Sequence, residues 1–176
     1  MPRARLLPLI LIALSAVLTA QKASKSDPKQ EPFAPAVVRM GATIAETRTA
    51  LEKLCTKITI QEYKRPFIAL RELVKDKQTQ LDCDGFMYFG KPRWAEFIFA
   101  DDSLELVWIL TDKSDEPALL NALIAASGQP THRNDKFIAT AKGRIAIRTD
   151  KPESLFYSER IAKHAEGWFA KESTFR

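Results

Sequence analysis

Two cysteines and two histidines are all that this chain of 176 residues carries. Cys55, Cys83, His132 and His164 are too scattered along the chain to suggest a zinc site. No Cys-x-x-Cys spacing is present to depress a thiol pKa, which argues against a redox pair. Glycine is scarce, at six residues, and no glycine-rich loop stands where one would cradle a phosphate. Gly-x-Ser-x-Gly and His-Glu-x-x-His are missing as well. No basic run interleaved with aromatics is dense enough to argue for nucleic acid. Beyond the first twenty residues, no apolar stretch is long enough to span a bilayer. The best-marked classes of enzyme, metalloprotein and membrane protein therefore leave no signature.

What is there begins at the N-terminus. Met1-Pro2-Arg3-Ala4-Arg5 carries two positive charges, Leu6 to Ala20 is uncharged and rich in Leu, Ile, Ala and Val, and Gln21-Lys22 ends the run. A basic start, an apolar stretch of about 7–15 residues and a small residue before a polar one is the layout of a secretory signal peptide. Cleavage is expected after Ala20, with Ala16 as the second choice. The alternative is a retained anchor, since Leu18 is larger than the alanine favoured at its position. A spanning helix needs about 20 apolar residues, however, and this run is shorter. No cysteine lies near the cleavage site, which argues against a lipid-anchored form. The expected location is periplasmic or secreted, with no membrane span after cleavage. The remaining 156 residues suit one domain, or two small halves sharing one core. The net charge falls from +5 to near +3, with 25 Lys and Arg against 22 Asp and Glu, a mild excess that favours solubility.

An oxidising compartment decides how the cysteines read. An even count there implies a disulfide, and closing the loop from Cys55 to Cys83 would stabilise the fold by roughly 3 kcal/mol.

Gln21 to Ala36 holds Lys, Ser, Pro and Gln with one large apolar residue, Phe33, and reads as a flexible tether. A single α+β domain is expected over 37–176. Thr43 and Glu46 form a capping box, and Ile44, Thr47, Leu51, Leu54, Cys55 and Ile58 recur at helical spacing. Ile58 to Tyr63 is β-prone, Pro66 breaks it, and Phe67 to Lys75 is either a short helix or an extended crossover. Strands follow over 80–89, 93–100 and 104–111, separated by Gly90-Lys91-Pro92 and Asp101-Asp102-Ser103. A second helix is expected over 116–127, with Pro117 in its first turn and Gly128 after its end. A second meander follows over 136–141, 144–149 and 154–157, then a C-terminal helix over about 160–171. The chain thus presents one unit twice, in halves of about 40–112 and 113–160. The fold class is α+β: two helix–three-strand meander units forming a continuous antiparallel sheet with helices packed on one face, each helix covering its meander.

Met40-Gly41-Ala42-Thr43-Ile44-Ala45-Glu46-Thr47 leading to Leu51 resembles the helix opening of the small outer-membrane assembly lipoproteins of the SmpA/BamE type. Phe97 to Val107 resembles their closing hairpin. The doubled helix-plus-meander plan is similar to the secreted β-lactamase-inhibitory proteins, built from two such units. That architecture implies a helix-to-strand disulfide, matched here by Cys55 and Cys83. The second half has no cysteine, and the lipid-anchor cysteine of the assembly lipoproteins is missing. The resemblance covers most of 40–158 and speaks to fold more than to function.

Side-chain alternation then sorts the faces. If Cys83 points to the helices, so do Gly85, Met87 and Phe89, while Asp84, Phe86 and Tyr88 point outward. Phe97 and Phe99 read as core, which places Trp94, Glu96 and Ile98 outward. The third strand is apolar on both sides, with Leu106, Trp108 and Leu110 against Val107 and Ile109. Such a sheet is either covered by the C-terminal segment with Phe156, Trp168 and Phe169, or presents an aromatic binding face. Ile145 and Ile147 look inward, so Arg144 and Arg148 would border that face beside Lys142 as a basic edge.

The expected function is non-enzymatic: a periplasmic binding or adaptor module that docks an envelope protein or peptide through Phe86, Tyr88, Trp94, Glu96 and Trp108. No catalytic residue, metal or cofactor is assigned, and no nucleic-acid partner. A carrier for a small apolar ligand is the second reading. A hydrolase of envelope material using Asp82, Asp84 or His132 is the third. Asp101-Asp102 reads as ordinary turn chemistry.

Overall fold

Thr43 opens the first helix as the spacing predicts. Its side chain accepts from the Glu46 N–H, and the Glu46 carboxylate accepts from the Thr43 N–H at 2.9 Å. The computed structural model describes residues 32–170. The expected signal segment, most of the tether and Lys171 lie outside the described residues. Helix α1 runs over Ile44–Leu51, shorter than its apolar stripe, because Ile58 already belongs to strand β1 (Lys57–Tyr63). Strands β2 (Gln78–Tyr88), β3 (Lys91–Ala100) and β4 (Ser103–Leu110) form the first meander. Helix α2 occupies Glu116–Ser127, ended by Gly128 at φ +84°. Strands β5 (His132–Arg133), β6 (Phe137–Thr140), β7 (Ile145–Arg148) and β8 (Glu153–Tyr157) follow, then helix α3 over Ala162–Ala170.

All eight strands join one antiparallel sheet in the order β1-β2-β3-β4-β8-β7-β6-β5. The order reads as two mirror-related halves meeting where β4 pairs with β8. Each half carries one strand beyond the expected three, at its outer edge: β1 in the first and the two-residue β5 in the second. The segment after β1 is a run of bends and turns around one short 3₁₀ helix at Ile68–Leu70.

Helices α1 and α2 share one face of the sheet, here the inner face. Leu51, Leu81, Cys83, Phe97, Phe99, Val107, Leu119, Leu123, Ile147 and Phe156 are among the side chains of its core. Cys55, just past α1, is bonded to Cys83 on β2 with the Cα atoms 5.4 Å apart. Phe33 falls within the segment that composition reads as a tether, yet it is buried in this core. Its ring lies 5.4 Å from Phe156 and its carbonyl accepts from the Tyr88 hydroxyl at 2.8 Å. The ordered chain therefore starts before Val37, because one aromatic side chain anchors an otherwise polar stretch.

The outer face has its own core. Ile98, Leu106, Phe137, Ala139, Leu155 and Tyr157 meet Ile161, Ala165 and Phe169 of the C-terminal segment and Leu70 of the 64–77 loop. Trp168 and Phe169 cover this face, as one of the two expectations for the apolar sheet held. Phe156 does not join them, because it points to the inner face. The cover is fixed by Glu105, an extra residue in β4 between the Ile98–Leu106 and Phe99–Leu104 pairs. Fully buried, it accepts from the Ser158 hydroxyl and from Arg160 Nη1 at 2.6 Å. At the other end of the helix, Asn134 Nδ2 donates to the carbonyls of Trp168 and Phe169.

Asp101 and Asp102 do more than turn the chain. Asp101, at φ +54°, accepts from the N–H groups of Lys75, Asp76 and Lys77, and these bonds hold its carboxyl below the usual range, Asp76 first. Asp102 accepts from the Ile44 N–H at the start of α1. One hairpin thus pins the outer loop and the inner helix.

Candidate functional site

Gly85 decides which side chains face out. Cys83 pairs with Ala95, but Phe86 pairs with Arg93, so β2 holds one residue more than β3 across this step. A bulge of this kind flips the alternation beyond it. Gly85 makes it with φ +75°, and a Cβ added there would stand 2.7 Å from the Thr56 side chain. Thr56 in turn donates its N–H and hydroxyl to the Asp84 carbonyl.

The expected sidedness of β2 is therefore corrected. Phe86 and Tyr88, expected as outward contacts, are 3% and 0% exposed and belong to the inner core. The Tyr88 hydroxyl bonds Phe33 O and Ser154 Oγ. Neither ring presents a surface to a partner. Met87, expected inward, faces out at 58% exposed.

Trp94, Glu96 and Trp108 do share the outer face. Glu96 stands directly opposite Trp108 on one side and opposite Asp82 on the other. Trp94 is two residues before Glu96 on the same face, and its indole lies close enough to lower the Glu96 carboxyl pKa. Trp108 is half-buried, with its ring 6.3 Å from Trp168 and the Arg148 guanidinium 5.9 Å from its centre. Met87, Trp94 and Leu110 complete an apolar strip, the last two 37% and 38% exposed. The 64–77 loop and α3 cover the rest of this face and stop short of the strip.

An acidic border runs beside it. Asp82 is buried and accepts from the side-chain amides of Gln61 and of Gln80, the latter at 2.6 Å. Burial holds the Glu96 carboxyl above its usual value, Asp82 and Glu153 push the same way, and the Trp94 indole opposes them. Glu153, opposite Leu110 across the β4–β8 step, is also raised, first by its burial, although Arg148 pulls it back. Sequence reasoning placed Leu110 beside Trp108 without naming it a contact, and missed Met87 and Glu153. The signal for Met87 was the Asp84-Gly85 pair inside a strand, which marks a bulge.

The expected basic border dissolves into ion pairs. Arg148 bonds Asp150 and Glu153, and Arg144 bonds Glu159. The hydrolase candidates are not brought together. His132 sits on β5, bonded to Thr131 and 6.0 Å from the Phe169 ring. Six strand spacings, roughly 29 Å, separate β5 from Asp82 and Asp84 on β2. Among the described residues no three His, Cys, Asp or Glu side chains group to hold a metal ion, and no helix is long and apolar enough to cross a membrane.

No protein-family model, curated protein or solved structure matches this chain.

Proposed function

We propose that this protein is an exported, non-enzymatic binding module that docks an envelope protein or peptide through the uncovered strip of its outer sheet face. The observation that carries the reading is the exposure of Met87, Trp94 and Leu110 side by side on a rigid sheet. Adjacent exposed apolar side chains with a polar border are the signature of an interaction surface rather than of scattered surface residues. Aromatic anchors at such a centre supply most of an interface's energy. The disulfide between Cys55 and Cys83 suits an oxidising compartment, in keeping with export.

The test is the paired substitution Met87→Ala plus Trp94→Ala in the exported chain. Partner capture is expected to fall with the melting temperature nearly unchanged. Capture that survives the double variant would remove the strip from the function.

A further inference from the structure

The outer face holds negative charge that no cation among the described residues answers. Asp82 and Glu96 face each other across β2 and β3. Among the described residues no Lys or Arg forms an ion pair with either. Asp82 is served by two amides, and the Trp94 indole stands beside Glu96. The Gln80 amide lies against the Asp82 carboxylate through its Nε2, while its Oε1 is buried with no hydrogen-bond partner. The spare atom beside Asp82 is thus an acceptor. Lys and Arg side chains carry donors only and bring the positive charge that two carboxylates lack.

The walls suit the same occupant. Trp94 and Trp108 flank Glu96 along and across the strand, and indole faces attract organic cations. Trp108 already hosts one, the Arg148 guanidinium, at 5.9 Å. A divalent ion would want six or more oxygens, whereas this slot offers a few acceptors between two rings.

We propose that Glu96, with the buried Asp82 carboxylate behind it, receives a Lys or Arg side chain of the docked partner, next to a large apolar residue that covers Trp94 and Met87. The inference rests on the docking reading and names the chemistry of the partner segment. The basic group seats on Glu96, brings the counter-charge the carboxylates lack, and fixes the register of the segment along the strip.

The experiment is selection of random displayed peptides on the disulfide-intact chain, followed by affinity measurement on the wild type and on the Glu96→Gln, Asp82→Asn and Trp94→Ala variants. Near-ultraviolet circular dichroism checks that each variant keeps its fold. Peptides sensitive to Trp94→Ala are expected to share a Lys or Arg beside a large apolar residue. Glu96→Gln should weaken them about ten-fold or more, the loss expected when one member of a desolvated pair is removed. Exchanging the peptide's basic residue for norleucine should weaken binding equally, with little further loss in the Glu96→Gln variant. Asp82→Asn should weaken the same peptides in the same direction. Peptides that need Trp94 but bind the Glu96→Gln and Asp82→Asn variants unchanged would overturn the slot and leave the docking reading standing. A selection that yields no Trp94-dependent peptide would overturn both. A shift of the Trp94 indole N–H resonance on removing residues 21–31, with no peptide added, would assign the slot to this chain's own lysines and overturn the partner assignment.

Discussion

Cys83 and Phe86, three residues apart on one strand, point to the same side of the sheet. Regular alternation forbids that arrangement. The extra residue at Gly85 produces it, and with it the turn of Phe86 and Tyr88 into the core and of Met87 to the outer face.

Gly85→Ala is expected to destabilise the protein sharply. A left-handed φ of +75° costs a side chain about 1–3 kcal/mol, and the new methyl would push on Thr56 at 2.7 Å. Chemical denaturation should show the loss, and adding Thr56→Ala should recover only the steric part. A Gly85→Ala variant with wild-type stability would contradict the bulge.

Tyr88 and Trp94 should separate cleanly. Tyr88→Ala empties a fully buried site and strands Phe33 O and Ser154 Oγ, so a loss of about 3–5 kcal/mol is expected. Trp94→Ala, at a partly exposed site, should cost less than about 1 kcal/mol. Thermal melts of the two single variants decide between core and surface for each ring.

Much of the architecture was legible because it is written in short-range chemistry. The Thr43–Glu46 capping box, Pro117 and Gly128 around α2, the turns between strands and the cysteine pair each act locally, and each marks its element correctly. The outer face was legible in part. Trp94, Glu96 and Trp108 follow from plain alternation on strands without a bulge between them. Phe86 and Tyr88 were misassigned because one glycine reset the pattern upstream. Glu105 was silent because a buried carboxylate that clamps the start of a helix 53 residues later has no local signature. Phe33 was silent for a related reason: composition describes its neighbours, while its own burial depends on Tyr88 and Phe156.

Glu105→Ala should loosen α3 before it loosens the sheet. The carboxylate holds Ser158 and the half-exposed Arg160, and losing a hydrogen bond to a charged group costs about 1.5–3 kcal/mol. Hydrogen exchange should show early loss of protection over 159–170 with β2 and β3 still protected. Tryptophan emission should shift to the red as Trp108 and Trp168 separate. Uniform loss across the chain would contradict a local clamp.

The Glu96 carboxyl sets a pH dependence with a definite sign. Its folded-state value lies above the ordinary 4.5, first through burial, then through Asp82, with Glu153 adding and Trp94 opposing. Glu153 is raised too, while Arg148, Asp150 and Lys151 bear on it. The folded state therefore holds protons that the unfolded state has released, and stability falls as pH rises through the raised value. Glu96→Gln should raise the melting temperature near neutral pH, and the gain should vanish below pH 4.5, where the glutamate is protonated in both states. A gain independent of pH would point to packing instead.

The most direct test of the account is in-cell photo-crosslinking from a probe replacing Trp94, with a probe at Leu110 as a second position on the strip and one at Tyr88 as the buried control, read by mass spectrometry. The account predicts one dominant envelope protein crosslinked from positions 94 and 110, and no intermolecular adduct from position 88. Adducts to no protein from positions 94 and 110, in cells where the chain is folded and exported, would contradict a docking surface on this face.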